Sequence, residues 1–556
     1  MKDTIIILGA GVMQGPAINI AKELGLFTIV LDGSSSAPCV NMADQFEKID
    51  LKDKESIEDF ARSVQTKTKK LGIMTAGTDF SASVAWVSEK LGLAGIPYET
   101  ALNASDKSRM RECFKKAALP SPDFFTITSD SPFLISHSST PSDNSPLPIS
   151  FPLVIKPVDN MGSRGCRKVD SMEEFEQAAK TAIGFSRSGR AIVEEFMDGP
   201  EFSVDAIVHH GGITICGLAD RHIYFPPYFI EMGHTMPTVI EKEKQKAILD
   251  TFRAGISALG LDAKENTGAA KGDIKLTSKG PMIGEIAARL SGGYMSGWTY
   301  PYSSGALPVK AAIMAAMGLN IDGLIPSKRW TCAERAFISI PGTVRQLIIN
   351  SDQLTIDNKK LPKFVNNLFL RIEEGSKVSF PENNVTKCGN IIASAPDRET
   401  AVCAAESAAR SILIRLNPRD TQTEEFLKTE TDFPPDAFQL TDKLKTSLAQ
   451  LPDLNSSLHQ TAGLTPPNRR FDSSFHIRPF PAFQSSGLRD YMGRTVEETL
   501  EAVRIITGFP LPVSDENAEN KDELQKRIFL GRSFWAALIR GSYQGAVYYI
   551  DLLGVK

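Results

Sequence analysis

Two carboxylates in a predicted hairpin are the residues of this chain best placed to do chemistry. The stretch Ala270–Gly293 has two strand-like segments around a turn at Ser278-Lys279-Gly280. If the turn centres on Lys279, Asp273 lies opposite Glu285, and opposed residues bring their Cβ atoms to about 5 Å. Two carboxylates at that distance repel unless a cation lies between them. A few hard oxygen ligands suit Mg²⁺ held jointly with nucleotide phosphates, so the hairpin predicts a metal site.

The alternative interpretation of the hairpin is a solvated charged face. Side-chain alternation places six residues on that face: Lys271, Asp273, Lys275, Glu285, Ala287 and Arg289. The lysines and the arginine would then be the partners of the two acids. From the hairpin alone, both interpretations stay open.

The composition of the chain limits its class. Its 556 residues predict about three or four domains. A hydrophobic fraction of 42% and a charged fraction of 23% are typical of soluble globular proteins. The net charge of −4 gives no field that would attract nucleic acid or an anionic membrane, and no apolar stretch reaches the roughly 18 residues that a span needs. We therefore expect neither partner.

The seven cysteines favour a reducing compartment. They are scattered, odd in number and include no C-x-x-C pair, which argues against a disulfide framework. The apolar run after Lys2-Asp3 is too short for the core of a signal peptide. We expect a cytoplasmic protein.

Strand signals alternating with helical patterns predict a small parallel α/β domain over residues 1–103. Its first turn carries Gly9-x-Gly11-x-x-x-Gly15, in which the third glycine is one place late for a dinucleotide fingerprint. The pattern favours a tight βα turn, and NAD binding is the alternative.

Four segments follow, and the last of them could handle phosphate. Asp106-Lys107 opens an amphipathic helix, and residues 126–150 are rich in Ser, Pro and Thr, which predicts a surface loop. The apolar strand Phe151–Pro157 carries Lys156, which needs an anionic partner or an exit to solvent. The flexible loop Asp159–Gly165 could close over phosphates with its backbone amides, although it is not a P-loop.

The order of these motifs resembles the ATP-grasp superfamily, which includes D-alanine–D-alanine ligase, biotin carboxylase and the carbamoyl-phosphate synthase large chain. The shared pieces are D-K-x-x-M-R, V-I-K-P, the Gly/Ser loop, V-E-E-F-x-x-G-x-E-F-S-V and the D…E-x-x-x-R hairpin. The resemblance covers residues 1 to about 415. Arg289 followed by Ser291-Gly292-Gly293 looks most like the carboxylate–amine ligase branch.

The resemblance implies a role for each matching residue. Lys107 and Lys156 would bind the phosphates of ATP, and Ser163, Arg164 and Gly165 would form a lid over them. The hinge that reads the adenine edge would be Glu194, Glu195, Phe196 and Met197, and Glu201 would bind the ribose hydroxyls. Asp273 and Glu285 would hold Mg²⁺ or Mn²⁺. Arg289, with Lys271 beside it, would steady the acyl phosphate. Many members have Asn where this chain has Ala287, which leaves the number of metals open.

The substrate pocket is implied around the segment Tyr224–Thr238, which is similar to a pocket-lining loop of carboxylate–amine ligases. Glu231 would hold an amine, and His234 a carboxylate or the incoming nucleophile. The near-neutral pKa of histidine in general would suit a base that deprotonates an ammonium group. The alternative is a packed loop with His234 merely hydrogen-bonded. Further substrate-binding residues would be those after the catalytic arginine: Ser291, Gly292 and Gly293.

The predicted fold class is α/β and α+β. It comprises a Rossmann-like domain at 1–103, a two-lobed ATP-grasp catalytic domain at 104–325, a small α/β cap at 326–417 and a polar linker with a helical extension at 418–556. The extension could pack on the chain itself, form a homodimer or contact a partner.

The predicted function is an ATP- and Mg²⁺-dependent ligase. It would join a small-molecule carboxylate to an amine through an acyl phosphate and release ADP and phosphate. The alternatives are a bicarbonate-activating carboxylase or carbamoyl-phosphate-type enzyme, and a non-catalytic ATP-binding regulator.

Overall fold

The computed structural model describes residues 2–131, 147–349, 363–453, 475–509, 512 and 528–554. The chain divides into two compact units. The first comprises Met1–Arg335, Glu382–Asn384 and Ile392–Ala405, and the second comprises Ala336–Pro381, Val385–Ile391 and Glu406–Lys556. The domain boundaries at residues 103, 325 and 417 stay predictions.

The first unit begins with the predicted parallel α/β layer. Its strands are β1 (Thr4–Leu8), β2 (Phe27–Asp32), β3 (Gln45–Lys48) and β4 (Leu71–Thr75), in the order β3-β2-β1-β4. Its helices are α1 (Gly15–Glu23), α2 (Lys54–Gln65), α3 (Ser81–Leu91) and α4 (Tyr98–Asn103). The apolar run of β1 is fully buried, as helices on both faces of a parallel sheet require.

The glycine-rich turn after β1 is a tight structural turn. The amide of Ala10 donates to Asp32 at 2.8 Å, and the amide of Gly11 donates to the side chain of Gln14 at 2.9 Å. Because side chains of the protein already bind these amides, the structure favours the tight-turn interpretation over NAD binding.

The next layer contains a four-stranded antiparallel sheet. Helix α5 (Lys107–Lys116) is capped by Asp106 and precedes it. The sheet has the order β5-β8-β6-β7, with a helix packed on it: β5 (Phe124–Thr128), β6 (Leu153–Pro157), β7 (Arg167–Val169), β8 (Arg190–Glu195) and α6 (Met172–Phe185).

The predicted loop at 126–150 is wrong at both ends. Residues 126–128 belong to β5, and Ile127 and Leu147 are buried in the core of this layer because both are apolar and face α6 and its sheet. Residues 132–146 lie outside the described residues.

The large antiparallel sheet positions the candidate site. In the first unit its strands follow the order β13-β12-β9-β10-β11-β14. Their bounds are β9 (Glu201–His209), β10 (Gly212–Tyr224), β11 (Ile230–Met236), β12 (Thr267–Thr277), β13 (Gly280–Ala287) and β14 (Thr331–Phe337), and α7 (Lys242–Leu259) packs on β12 and β13.

The segment predicted as a pocket loop at 224–238 is a strand over Ile230–Met236. It pairs with β10 on one side and with β14 on the other. Because both neighbours satisfy its backbone hydrogen bonds, the segment becomes a strand despite its lack of sequence periodicity. After β13, a short π-helical turn (Met295–Thr299) leads into α8 (Tyr300–Ser303) and α9 (Pro308–Ala316).

The elements after β14 continue the α/β pattern. They are β15 (Gly342–Ile349), β16 (Val365–Leu370), β17 (Lys377–Val378), β18 (Gly389–Ala395), α10 (Arg398–Arg410) and β19 (Ile412–Leu416). Helix α10 ends at Arg410, because the apolar residues that follow it form β19 and pair with β15.

The C-terminal extension folds within the second unit. Its elements are α11 (Thr421–Lys428), α12 (Asp442–Gln450), β20 (Phe475–Ile477), α13 (Pro481–Gln484), α14 (Val496–Thr507), β21 (Ile528–Leu530) and α15 (Arg532–Leu552). Trp535 lies in a core with Phe483 and Val503, so the apolar block packs on its own unit. Within the described part of the chain, no helix is long and apolar enough to cross a membrane.

Candidate active site

The predicted hairpin is formed by β12 and β13. Its register places Asp273 directly opposite Glu285, and a turn at Ser278-Lys279 joins the strands. A bulge follows Asp273. The pairing of the two acids, predicted from the turn alone, is therefore present.

Cations surround both acids of the hairpin. Asp273 contacts Lys271 and lies 2.8 Å from Arg221, while Glu285 lies 3.6 Å from Lys107. Burial by itself would raise the pKa of Asp273, but Arg221 and Lys271 outweigh burial and lower it. Burial likewise opposes ionisation of Glu285, yet Lys107 and Lys271 hold its pKa far below the usual range. Both side chains are carboxylates at neutral pH.

Lys156, the lysine in the apolar strand β6, has the anionic partner that the sequence analysis expected. Lys156 lies 2.6 Å from the carboxylate of Glu194, and Arg111 donates to the same carboxylate at 2.8 Å. Burial raises the pKa of Glu194, but Arg111 and Lys156 together lower it. Arg111 was missed as a functional residue although it closes the D-K-x-x-M-R motif. The carboxylate of Glu194 thus faces cations, and adenine recognition at this hinge would fall to other atoms.

The predicted lid is anchored at its base. Asp159 accepts hydrogen bonds from Ser186 and Ser188 at 2.8 Å each, and Lys107 donates to the carbonyl of Asn160 at 2.8 Å. The loop then turns through residues with left-handed backbone: Gly162, Ser163 and Gly165. Arg164 donates to the carbonyl of Met161 at 3.0 Å.

The predicted hinge lies at the end of β8. Glu195 pairs with Lys279 of the hairpin turn at 2.7 Å. The ring of Phe196 is flanked by Lys168 and Lys275, with ammonium-to-centroid distances of 5.2 and 5.6 Å. The role of Met197 in this hinge stays a prediction.

Arg221 connects three of the predicted site acids and was missed from the sequence. It contacts Glu201, lies 2.8 Å from Asp273, and donates through Nε and Nη2 to one oxygen of Glu231 at 2.9 and 2.8 Å. The polar Asp220-Arg221-His222 run, which follows the buried pair Leu218-Ala219 in β10, was the available signal, since partly buried charges need partners. One guanidinium therefore contacts the acid predicted to bind ribose, Glu201, one acid predicted to bind metal, Asp273, and the acid predicted to bind the amine, Glu231.

The predicted substrate residues Glu231, His234 and Gly293 lie together. His234 Nε2 is 3.6 Å from Glu231 Oε2. Gly293 has φ of +58°, and a Cβ added there would lie 2.8 Å from Glu231 Oε1 and 3.1 Å from His234 Cε1. A side chain at residue 293 would therefore enter the space beside both.

Asp205 organises the segment after the catalytic arginine. It accepts hydrogen bonds from the amide of Ser291 at 3.2 Å and from its hydroxyl at 2.6 Å. Burial raises the pKa of Asp205 to about 6, although the Ser291 hydrogen bonds oppose that shift. Sequence analysis missed this residue because its partner lies 86 positions away.

Arg289 is buried and only partly satisfied. It donates through Nη1 to the carbonyl of Leu290 at 3.1 Å, and its Nε meets no acceptor among the described residues. A buried guanidinium with an unused N–H fits an oxyanion such as a phosphate.

The donor set fits a metal shared with phosphates rather than a closed protein cage. Ala287 is buried opposite Lys271 and supplies no ligand. In the described ranges, no three His, Cys, Asp or Glu side chains gather as a metal cluster. Two ionised carboxylates with hard oxygen atoms match Mg²⁺ that takes its remaining ligands from phosphate and water.

Comparison with known families agrees with this geometry. Residues 149–297 match the ATP-grasp domain family, and residues 359–417 match L-amino acid ligase C-terminal domain 2. The crystal structure of L-amino acid ligase from Bacillus licheniformis superposes with a TM-score of 0.64 at 20% identity, covering 75% of this chain and 99% of that one.

Two curated relatives are similar over shorter stretches. Carnosine synthase 1 of Gallus gallus is 23% identical over 59% of this chain and 36% of its own length. Alanine–anticapsin ligase of Bacillus subtilis is 27% identical over 40% of this chain and 48% of its own length. The aligned region spans about half or less of each of these relatives.

Proposed function

We propose that this chain, an ATP-grasp protein of the carboxylate–amine ligase type, joins a carboxylate to an amine through an acyl phosphate. ATP and Mg²⁺ are the cofactors of that family. The proposal concerns the intermediate, the roles of individual residues and the kind of substrate.

The observation that carries the proposal is the position of Arg221. One guanidinium lies 2.8 Å from Asp273, a proposed metal ligand, and 2.8 Å from Glu231, a proposed substrate ligand. The proposed metal ligand Asp273 and the proposed amine ligand Glu231 therefore contact the same guanidinium group. A reaction that moves a phosphoryl group onto one substrate and then attacks it with another requires this closeness.

The phosphates of ATP would bind at the lysines. Lys156 and Lys107 are paired with Glu194 and Glu285, and both lysines reach the space beside the hairpin. Asp273 and Glu285 would hold Mg²⁺, which when bound neutralises charge on the transferring phosphoryl group. Glu201 would bind the ribose, with Arg221 fixing its carboxylate.

The first step forms the acyl phosphate. A substrate carboxylate oxygen attacks the γ-phosphorus of ATP, the bond from that phosphorus to the bridging oxygen breaks, and ADP leaves. Arg289 supports this step with its unused N–H, because preorganised donors stabilise charge that develops in the transition state.

The second step forms the amide. The amine nitrogen attacks the acyl carbon, the bond from that carbon to the phosphate oxygen breaks, and phosphate leaves. Glu231 orients the substrate ammonium group, and His234 accepts its proton at Nε2 before attack. Asp205 holds the Ser291-Gly292-Gly293 segment against this pocket through Ser291.

We further propose that the substrates are amino acids. The names of the L-amino acid ligase structure and of alanine–anticapsin ligase support this class. The carboxylate of Glu231 and the imidazole of His234, which both lie beside Gly293, would also suit the charged groups of a small zwitterion.

A paired-substrate screen tests the proposal. The full chain is incubated with ATP, Mg²⁺ and pairs of amino acids, and ADP release and product mass are measured. We expect ADP only with both substrates present, and its loss in Lys156→Ala but not in Lys180→Ala, an exposed lysine on α6. ADP release with bicarbonate and no amine, or ATP binding without turnover for every pair, would contradict the proposal.

A further inference from the structure

His234 has a second carboxylate neighbour that belongs to a different strand. Glu334 of β14 lies directly opposite His234 of β11 in the strand pairing. Its Oε2 is 3.0 Å from His234 Nδ1, and both side chains are almost fully buried. The other ring nitrogen, Nε2, is the one near Glu231.

The backbone fixes this contact. At Gly233, a Cβ would lie only 2.0 Å from the carbonyl oxygen of Glu334, so the strands approach closely because residue 233 is glycine. Arg335, which follows Glu334 in β14, donates a hydrogen bond to the backbone carbonyl of His234 at 3.1 Å. Glu334 therefore reaches the imidazole from a rigid sheet position rather than from a loop.

The charges around the imidazole distinguish its two ring nitrogens. Arg221 of β10 and Glu334 of β14 lie opposite His234 in the strand pairing, and Glu231 lies near its ring on the same strand. His222 and Arg335 pair with Gly233 and contact Thr235 on the other face of the sheet. Arg221 donates twice to Glu231 Oε2, the oxygen nearest Nε2. The carboxylate within hydrogen-bonding distance of the ring is that of Glu334, at Nδ1.

We infer that Glu334 is a positioning residue for the proposed proton acceptor His234. Its carboxylate accepts the Nδ1 hydrogen, so the neutral ring presents an unprotonated Nε2 to the amine. It also stabilises the imidazolium that forms when Nε2 takes the proton, as a carboxylate behind a histidine base does. This inference rests on the proposed function for its catalytic meaning, but not for its geometry.

The tautomer is tested on the unmodified protein. The full chain is labelled with ¹⁵N-histidine, its ring signals are recorded at alkaline pH, and His234→Gln identifies the relevant signal among seven histidines. We expect a neutral ring protonated at Nδ1. A ring protonated at Nε2 would overturn the inference.

The catalytic consequence is tested with Glu334→Gln. We expect kcat to fall about 10- to 100-fold with an unchanged KM for ATP, the range reported for partners that orient a functional side chain. The ascending limb of kcat against pH should move to lower pH, because a neutral amide stabilises the imidazolium less. Glu334→Asp should restore part of both effects.

Asp551→Asn serves as the matched control, because Asp551 is a buried carboxylate bound by Arg415 in the second unit. It should lower the melting temperature without moving the pH limb. Full activity and an unmoved limb in Glu334→Gln would overturn the inference while leaving the ligase proposal intact. A wild-type chain without ligase turnover but with the Nδ1 tautomer would overturn the proposed function and leave the positioning geometry supported.

Discussion

The two ends of the candidate site differ in charge. At the phosphate end, cations outnumber carboxylates around the hairpin. The carboxylates are Asp273, Glu285 and Glu194, and the cations beside them are Lys107, Lys156, Lys271, Arg111 and Arg289. At the acceptor end, two carboxylates, those of Glu231 and Glu334, lie on either side of the His234 ring. The first end suits a polyphosphate anion and the second suits an ammonium group. A ligase that brings these two substrates together needs this asymmetry, and each prediction below perturbs one end or the link between them.

The largest effect is expected at the phosphate end. Glu285→Gln keeps the volume of the side chain but removes the charge that pairs with Lys107 and would bind Mg²⁺. We expect kcat to fall about 100-fold or more, as the loss of one preorganised electrostatic group does, with the KM for the amine unchanged. Steady-state ADP release measures this.

Glu176→Gln on α6 is the control for that substitution, since Glu176 is a carboxylate paired with Lys180 at the surface of the same unit. It should leave kcat within about twofold. An equally active Glu285→Gln would show that the hairpin is a solvated charged face rather than a metal site.

Removal of the link between the two ends should destabilise the first unit. Arg221→Met leaves Glu201, Glu231 and Asp273 without their shared cation. We expect the free energy of unfolding to fall by about 3–5 kcal/mol, the cost of leaving a buried charge unpaired. Chemical denaturation measures this loss.

Arg415→Met provides the comparison, because Arg415 holds a single carboxylate, Asp551, in the second unit. It should cost less than Arg221→Met. If both substitutions cost the same, Arg221 is an ordinary ion-pair partner and does not join the two ends.

Asp205 should give the acceptor end a stability that depends on pH. Its pKa is raised to about 6 by burial, against about 4 in an unfolded chain. The folded state therefore holds a proton that the unfolded state has lost, and this contribution to stability declines as pH rises from about 4 to about 6.

Comparison with Asp205→Asn isolates that contribution, because the variant cannot titrate at residue 205. The unfolding free energy of the wild type should fall by about 3 kcal/mol relative to the variant between pH 4 and pH 6.5. Parallel curves for the two proteins would show that Asp205 has an ordinary pKa.

The smallest effect is expected from a single methyl group at residue 293. Gly293→Ala forces alanine into a left-handed backbone and places its Cβ against Glu231 and His234. We expect a loss of about 1 kcal/mol in stability and a rise of about tenfold in the KM for the amine, with the KM for ATP unchanged.

Gly189→Ala separates the two causes. Gly189 has φ of +67° and open space around its Cβ position, so the variant has the same backbone strain without the contacts. It should lose similar stability and keep its KM values. If both variants had a raised KM for the amine, backbone strain rather than contact with Glu231 and His234 would be the cause.

The two ends also differ in how far the sequence predicts them. The phosphate end lies in short motifs, and the spacing around Lys279 was enough to pair Asp273 with Glu285. Lys156 in an apolar strand indicated that a partner was needed, and Glu194 proved to be that partner, although it had been expected to read adenine.

The acceptor end depends on sheet register that no local pattern encodes. Glu231 and His234 were found by resemblance, but the strand that holds them was predicted as a loop. Arg221 and Glu334 meet Glu231 and His234 through the register of β10, β11 and β14, and Asp205 of β9 meets Ser291, which lies 86 positions further along the chain. The sequence therefore predicts the fold class and the pairing of the two hairpin acids, while the contacts at the acceptor end required coordinates.

The central claim is that an acyl phosphate links the two ends, and positional isotope transfer tests it most directly. The active pair of substrates is supplied with ¹⁸O in the carboxylate, and the released phosphate is analysed by mass. An acyl phosphate requires one carboxylate oxygen to leave with the phosphate, so the account predicts phosphate that carries one ¹⁸O per turnover. Unlabelled phosphate, or release of AMP and pyrophosphate in place of ADP, would contradict it.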